Sequence, residues 1–290
     1  MVKRSIRLRE YPLDDEKSFI PENDLLTYCK EINRQEYKIH TDKEGFILSG
    51  NSIDTFNKTT LIIGDSFVAN IFVEETKRFC SILEQIDNKK KTNFFGKVLN
   101  GGYSGNTTLN IFNTLMNKII PMKIDSLVFI LPSNDSQIYR YSDTYWNSSE
   151  YYAPILPTNP NQTPGAFGSL DSLELVKLLD LLIRACTHFD INLTFGTTPC
   201  ATNFYMSEFL KNKYQHYAWY EATVNTIKRL NDKMRNAAYF NHVPLIDLEI
   251  DLQNNDYFYD DVHLNEYGSQ ACAEIIYNYF RVKDGVNVAK

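Results

Sequence analysis

From residue 60 onward, short apolar runs alternate with longer segments of helical patterning. The runs are "TLIIG", "FGKVLNGG", "SLVFILP", "INLTFGTT" and "VPLIDLE". Strands apolar on both faces, separated by helices, belong to a parallel sheet covered on both sides. The expectation is an α/β fold with five such strands. The helical segments read clearly. Near the C-terminus Ala271, Ile275 and Tyr279 recur every four residues beside Cys272, Ile276 and Phe280, which makes one broad apolar face. Ser169 is placed to cap "LDSLELVKLLDLLIRA", and "VANIFVEETKRF" reads as the helix that follows the first strand.

Residues 1–58 break this rhythm. They are polar and irregular, with a short helix expected at "ENDLLTYCKEIN" and a hairpin turning at Gly45 inside "YKIHTDKEGFILSG". The domain reading is an N-terminal extension, residues 1–58, packed on a main domain spanning 59–290. A second interruption, at about 137–168, is an insert rich in Tyr, Asn and Pro. A connection of that length without regular structure is usually functional or disordered.

In open parallel sheets, ligands bind beyond the carboxyl ends of the strands. The segments that follow the runs therefore carry the candidate chemistry. They are Gly64-Asp65-Ser66, "NGGYSGNTT" from Asn100 to Thr108, "LPSND" with Ser133, Asn134 and Asp135, and "YFYDDVHLNEYG" with Asp260 and His263. The first has a plain structural reading, in which Gly64 makes the corner and Asp65 or Ser66 caps the next helix.

Composition narrows the classes. At 290 residues, 43% hydrophobic and 23% charged, the chain is an ordinary globular one. A net charge of −6 argues against nucleic acid as a partner, because phosphate binding relies on concentrated Lys and Arg. No run approaches a membrane-spanning length. The N-terminal "MVKRSIRLREYPLDDE" lacks the apolar stretch of a secretory signal. Cys29, Cys80, Cys186, Cys200 and Cys272 are odd in number and widely spaced, which suggests reduced thiols rather than disulfides or a metal site. A cytoplasmic protein is expected.

A serine hydroxyl needs a base, and His263 is the best candidate of five histidines. His40, His188, His216 and His242 lack a matching carboxylate in a strand-end loop. Asp260, three residues before His263, can hold the far imidazole nitrogen, although Asp256 and Asp261 compete for that role. Charge developing on a carbonyl oxygen needs donors. The Ser66 N–H at a helix N-terminus, the Gly105 N–H and the Asn134 side chain are the candidates.

Taken in order, Gly64-Asp65-Ser66, the Gly105 loop, "PSND" and the Asp-x-x-His of "DDVH" resemble the four motif blocks of the GDSL, or SGNH, hydrolase superfamily. The resemblance covers residues 59–282. It implies a flavodoxin-like three-layer α/β/α sandwich with a five-stranded parallel sheet. It also implies Ser66 as nucleophile, His263 as base and Asp260 as its orienting acid, with Ser66, Gly105 and Asn134 as the oxyanion hole and no metal or cofactor. The third block departs from the family, which has a glycine where this chain has Pro132.

The activity expected is a serine ester hydrolase acting through an acyl-enzyme on a carbohydrate or similar small ester. An O-acyltransferase to a sugar hydroxyl and a non-catalytic binding protein are the alternatives. The insert carries Tyr139, Tyr141, Tyr145, Trp146, Tyr151 and Tyr152, suited either to sugar contact or to packing the insert onto the domain. Asp65, Tyr145 and Trp146 are the candidate substrate contacts. The oligomeric state is not expressed in the sequence.

Overall fold

The computed structural model describes residues 3–29, 32–51, 58–158, 164–165 and 173–283. Its strands, in chain order, are β1 (Ser5–Ile6), β2 (Glu16–Phe19), β3 (Tyr37–His40), β4 (Thr59–Gly64), β5 (Lys97–Gly102), β6 (Ser126–Ile130), β7 (Ile155–Leu156), β8 (Asn192–Gly196) and β9 (Leu245–Ile246). The five apolar runs are β4, β5, β6, β8 and β9. They form one parallel sheet in the order β5-β4-β6-β8-β9.

Successive residues of a strand face opposite sides, and here both sides are buried. Ile62, Val98, Val128 and Ile130 pack with Leu83 of helix Phe79–Lys90 and Ile276 of helix Glu266–Lys283. Leu61, Ile63, Leu99, Leu127 and Phe129 pack with Ile111 of helix Thr108–Thr114 and Leu179 of helix Glu174–His188. Two apolar faces, each covered by helices, are why these strands read as continuous hydrophobic runs.

Some local expectations change. The segment after β4 is a helix of four residues, Ser66–Ala69, which ends where Asn70 adopts a left-handed conformation at φ 45°. The Asn70 side chain donates to Ser269 Oγ (3.2 Å), and α-helix resumes only at Phe79, after a 3-10 turn at Glu75–Lys77. A helix this short has little macrodipole, so Ser66 offers a free N–H rather than a strong helix field. The proposed capping residue Ser169 lies outside the described residues, and the described helix begins at Glu174.

In the extension, helix Asn23–Tyr28 is shorter than expected, and β3 pairs antiparallel with the upstream β2. The turn at Gly45 (φ 71°) closes only a single bridge, Thr41 to Ile47. Ile47 exchanges hydrogen bonds with Asn100 on β5, donating at 2.9 Å and accepting at 3.1 Å. The extension thus covers the exposed edge of the main sheet, where unpaired backbone would otherwise invite association. β1 pairs antiparallel with β7, which belongs to the insert. The insert is therefore held from outside: its described residues form short turns and one bridging strand.

Among the described residues, no helix is long and apolar enough to cross a membrane. All five cysteines are buried, and none forms a disulfide.

Candidate active site

The corner after β4 is shaped by a glycine on the neighbouring strand. A Cβ on Gly102 would lie 2.0 Å from the Ala69 nitrogen, so only glycine lets the Ser66–Ala69 helix rest on the end of β5. Asn100 Nδ2 ties down the end of that helix by donating to the Val68 carbonyl (2.9 Å).

Asp65 is 1% exposed and does not contact solvent or substrate space. Its carboxylate accepts from Phe67 N–H (3.0 Å), Ser133 Oγ (2.6 Å), Asn134 N–H (3.2 Å) and Asn134 Nδ2 (2.9 Å). The helix cap therefore also locks the loop after β6 to the loop after β4. That replaces the expectation of a substrate contact, because four donors occupy the two carboxylate oxygens.

Pro132 fits this loop. Its carbonyl accepts from Asp135 N–H (3.1 Å), closing a turn with Asn134 in right-handed helical geometry. Asn134 Oδ1 accepts from Tyr152 OH (3.3 Å), which sets the amide orientation. Nδ2 carries two hydrogens, so one remains after the bond to Asp65. Beneath it Asp135 is fully buried and accepts from Thr108 N–H (2.9 Å), Thr108 Oγ1 (2.5 Å) and Tyr145 OH (2.6 Å). Burial pushes its pKa up to about 7, against the downward pull of these donors.

Tyr145 is consequently a core residue, not a substrate contact. It is 1% exposed, its hydroxyl serves Asp135, and its ring meets Tyr139 edge-on at 6.2 Å. Trp146 next to it is 55% exposed and does not line the cavity described below. In the 3-10 turn Thr144–Trp146 one aromatic is buried and the next exposed, their rings meeting edge-on at 6.3 Å, and alternation of polar and apolar neighbours could not say which one would be buried.

His263 sits in a loop closed by the Phe258–Leu264 bridge and by Tyr259 N–H donating to the His263 carbonyl (3.0 Å). The turn brings Asp260 under the imidazole. Asp260 Oδ2 meets His263 Nδ1 at 2.6 Å, while Oδ1 accepts from Val262 N–H (2.9 Å) and His263 N–H (2.7 Å). The Tyr259 ring stacks on the imidazole, 11° from parallel at 5.5 Å. Burial drives the His263 pKa down, but the charge and hydrogen bond of Asp260 outweigh it, and the pKa ends above 6.5.

Neither competing carboxylate is on the imidazole. Asp261 accepts from Lys213 Nζ (2.6 and 2.7 Å) and Tyr214 OH (2.6 Å). Burial raises the Asp261 carboxyl, yet Lys213 dominates and holds it below its ordinary value. Asp256 is exposed. Of the other histidines, His40 is held between Glu75 and Glu16 in the extension.

Ser66, Asn134, Tyr152 and His263 line one cavity of about 830 Å³, together with Gln137, Arg140, Lys213, Trp219 and neighbours. Gly105 lies beside the corner rather than in the cavity wall. It has φ 78°, and the adjacent Asn106 donates to the Gly64 carbonyl (3.0 Å). Among the described residues, the N–H groups of Ser66 and Gly105 have no acceptor, and Ser66 Oγ is not hydrogen-bonded to His263. Such contacts commonly tighten only with substrate bound. Trp219, on helix Tyr217–Asn241, is an aromatic cavity residue that the sequence reading did not single out. Its only signal is one exposed-type aromatic at the start of a long helix. Among the described residues, no group of three or more His, Cys, Asp or Glu side chains is placed to hold a metal ion.

A serine, a carboxylate-backed imidazole and unpartnered amide donors at the carboxyl edge of a parallel sheet can carry out acyl transfer. The sheet and its flanking helices are the three-layer fold of the GDSL, or SGNH, hydrolases. Among solved structures with this fold, an acetylxylan esterase from Geobacillus stearothermophilus is similar, at 13% identity over 78% of this chain and 94% of that one, TM-score 0.51. An α/β hydrolase enzyme from the metagenome of Lake Arreo aligns at 16% identity over 78% and 96%, TM-score 0.52. A protein assigned to the G-D-S-L lipolytic family from Desulfitobacterium hafniense DCB-2 aligns at 12% identity over 77% and 99%, TM-score 0.50. No protein-family model and no curated protein sequence matches the chain.

Proposed function

We propose that the protein is a serine ester hydrolase that removes O-acyl groups, acetyl above all, from a carbohydrate. The observation that carries this reading is the Asp260–His263 contact on a cavity shared with Ser66 and Asn134. His263 Nε2 takes the proton of Ser66 Oγ as the oxygen attacks the ester carbonyl. Asp260 keeps the other nitrogen protonated and stabilises the imidazolium. The free N–H groups of Ser66 and Gly105 and the second hydrogen of Asn134 Nδ2 receive the oxyanion. His263 then returns the proton to the leaving alcohol, and a water activated by the same imidazole releases the acyl group.

The carbohydrate assignment draws on the cavity. Trp219, Tyr152, Gln137 and Arg140 combine aromatic faces with polar ends, which suits a sugar. The structural likeness to an acetylxylan esterase agrees with it. A volume of about 830 Å³ also leaves room for a second sugar beside the acyl group, so transfer to an acceptor hydroxyl is the second reading.

Ser66→Ala tests the reading. It should abolish hydrolysis of p-nitrophenyl acetate and of acetylated oligosaccharides while the protein stays folded, and full residual activity would reject the nucleophile. Mass spectrometry of the oligosaccharides separates the two reactions: loss of acetyl means hydrolysis, and gain in the presence of an acyl donor means transfer.

A further inference from the structure

Arg9 belongs to the N-terminal extension, yet it is buried at 5% exposure beside the Gly105 loop. Its Nη1 donates to the Ser104 carbonyl (3.0 Å) and its Nη2 to the Tyr151 carbonyl. The guanidinium also lies over the Tyr151 ring, 5.1 Å from its centre. Its Nε is buried without a partner, and among the described residues no carboxylate pairs with Arg9. A buried charge with no counter-ion is expensive to keep, so its orientation calls for a reason.

The Ser104 carbonyl and the Gly105 N–H belong to the same peptide unit. In a trans peptide these two groups point in opposite directions, so whatever grips the oxygen also aims the hydrogen. Gly105 has φ 78°, and a Cβ there would meet Arg9 Nη1 at 2.6 Å and the Tyr151 hydroxyl at 2.7 Å. Glycine thus lets the arginine close on this peptide from one side, leaving its amide without an acceptor on the other.

We propose that Arg9 is a positioning residue of the oxyanion site, holding and polarising the Ser104–Gly105 peptide so that the Gly105 N–H is presented to the developing anion. This rests on the serine-hydrolase reading above. A cationic donor on the carbonyl draws electron density from the amide and strengthens its N–H as a donor. The unneutralised charge, itself shielded from water at 5% exposure, adds a favourable field at the site. The extension is then part of the catalytic apparatus rather than a cover for the sheet edge alone.

Arg7 supplies the control. It anchors the insert in the same way, donating to the Glu150 carbonyl (3.0 Å) and the Tyr151 carbonyl (2.8 Å), but has no bond to Ser104. Arg9→Met should lower kcat on p-nitrophenyl acetate by about 10- to 100-fold with KM within about twofold, less than the roughly 100- to 1000-fold loss of a direct donor. Arg7→Met should leave kcat within about twofold. Arg9→Lys, which keeps one charged donor, should recover part of the loss and guards against misfolding of the methionine variant.

A second measurement needs no turnover. In protein labelled with [15N]glycine, which has twelve glycines, the Gly105 amide signal can be identified by its disappearance in Gly105→Ala. It should move in Arg9→Met and stay in place in Arg7→Met. Equal kcat losses in both arginine variants, or an unmoved Gly105 signal in folded Arg9→Met, overturn the proposal. If Ser66→Ala remains active, the hydrolase reading fails instead, and the amide signal alone decides whether Arg9 orients the peptide.

Discussion

Asp260→Asn isolates what the carboxylate does for His263, and the hydrogen bonds give the size of the effect. In the wild type, Oδ1 accepts two backbone N–H groups and Oδ2 accepts the Nδ1 proton. An asparagine can satisfy the backbone only by keeping its carbonyl on the Oδ1 side. That sets an NH2 group against Nδ1, 2.6 Å away in the parent. Nδ1 must then be bare, the proton moves to Nε2, and the imidazole presents a donor to Ser66 where an acceptor is needed. Restoring the active tautomer requires turning the amide, which sacrifices two buried backbone bonds at about 1–3 kcal/mol each. The total of roughly 2–6 kcal/mol corresponds to a loss of about 30- to 26,000-fold, taking 1.36 kcal/mol per decade. Steady-state kinetics on p-nitrophenyl acetate, with a melting curve to confirm folding, would measure it. An Asp260→Asn enzyme within tenfold of wild type, beside an Asp261→Asn enzyme that is inactive yet folded, would refute the assignment.

The pH profile follows from the same contact. Only the neutral imidazole can accept the serine proton, so kcat/KM should fall as pH drops through the His263 pKa, which Asp260 holds above its ordinary value against burial; an acid limb unmoved by Asp260→Asn would contradict the cause. In Asp260→Asn the limb should shift to lower pH, since the main stabiliser of the imidazolium is gone. Trp219→Ala should raise KM for acetylated oligosaccharides by up to about tenfold, the size of an aromatic contact of roughly 0.5–1.5 kcal/mol. It should spare p-nitrophenyl acetate, whereas Trp146→Ala should change neither, and equal effects of Trp219→Ala on both substrates would remove it from sugar binding. Gly102→Ala places a methyl 2.0 Å from the Ala69 nitrogen. The overpacking of about 1–3 kcal/mol should lower the melting temperature by several degrees, and an unchanged melt would show that the backbone yields freely.

Sequence pattern was sufficient wherever one local rule decided the outcome. The five strands were legible because a doubly covered parallel strand must be apolar throughout, and Leu61, Ile62 and Ile63 are. The proposed catalytic residues Ser66, Asp260 and His263 stood out in the sequence because hydroxyl, carboxylate and imidazole are conspicuous in loops that follow such runs. Asp65 as helix cap belongs to the same class, since the bond to Phe67 N–H spans two residues.

What only the tertiary structure decided were pairings between groups distant in the chain. Proximity of Asp260, Asp256 and Asp261 to His263 did not separate them. Lys213 and Tyr214, nearly fifty residues upstream, claim Asp261 and leave Asp260 to the imidazole. Tyr145 and Trp146 are adjacent aromatics of similar composition and opposite fate, because the buried Asp135 needs a hydroxyl and only tyrosine has one. Trp219 reached the cavity through packing of helix Tyr217–Asn241. Arg9 met Ser104 across 95 residues, through an edge strand that no periodicity in the extension announces. Local bonds are set by neighbouring residues along the chain and can be read from it. Contacts across the fold depend on which buried polar groups find partners once the layers close, and that competition is settled only in three dimensions.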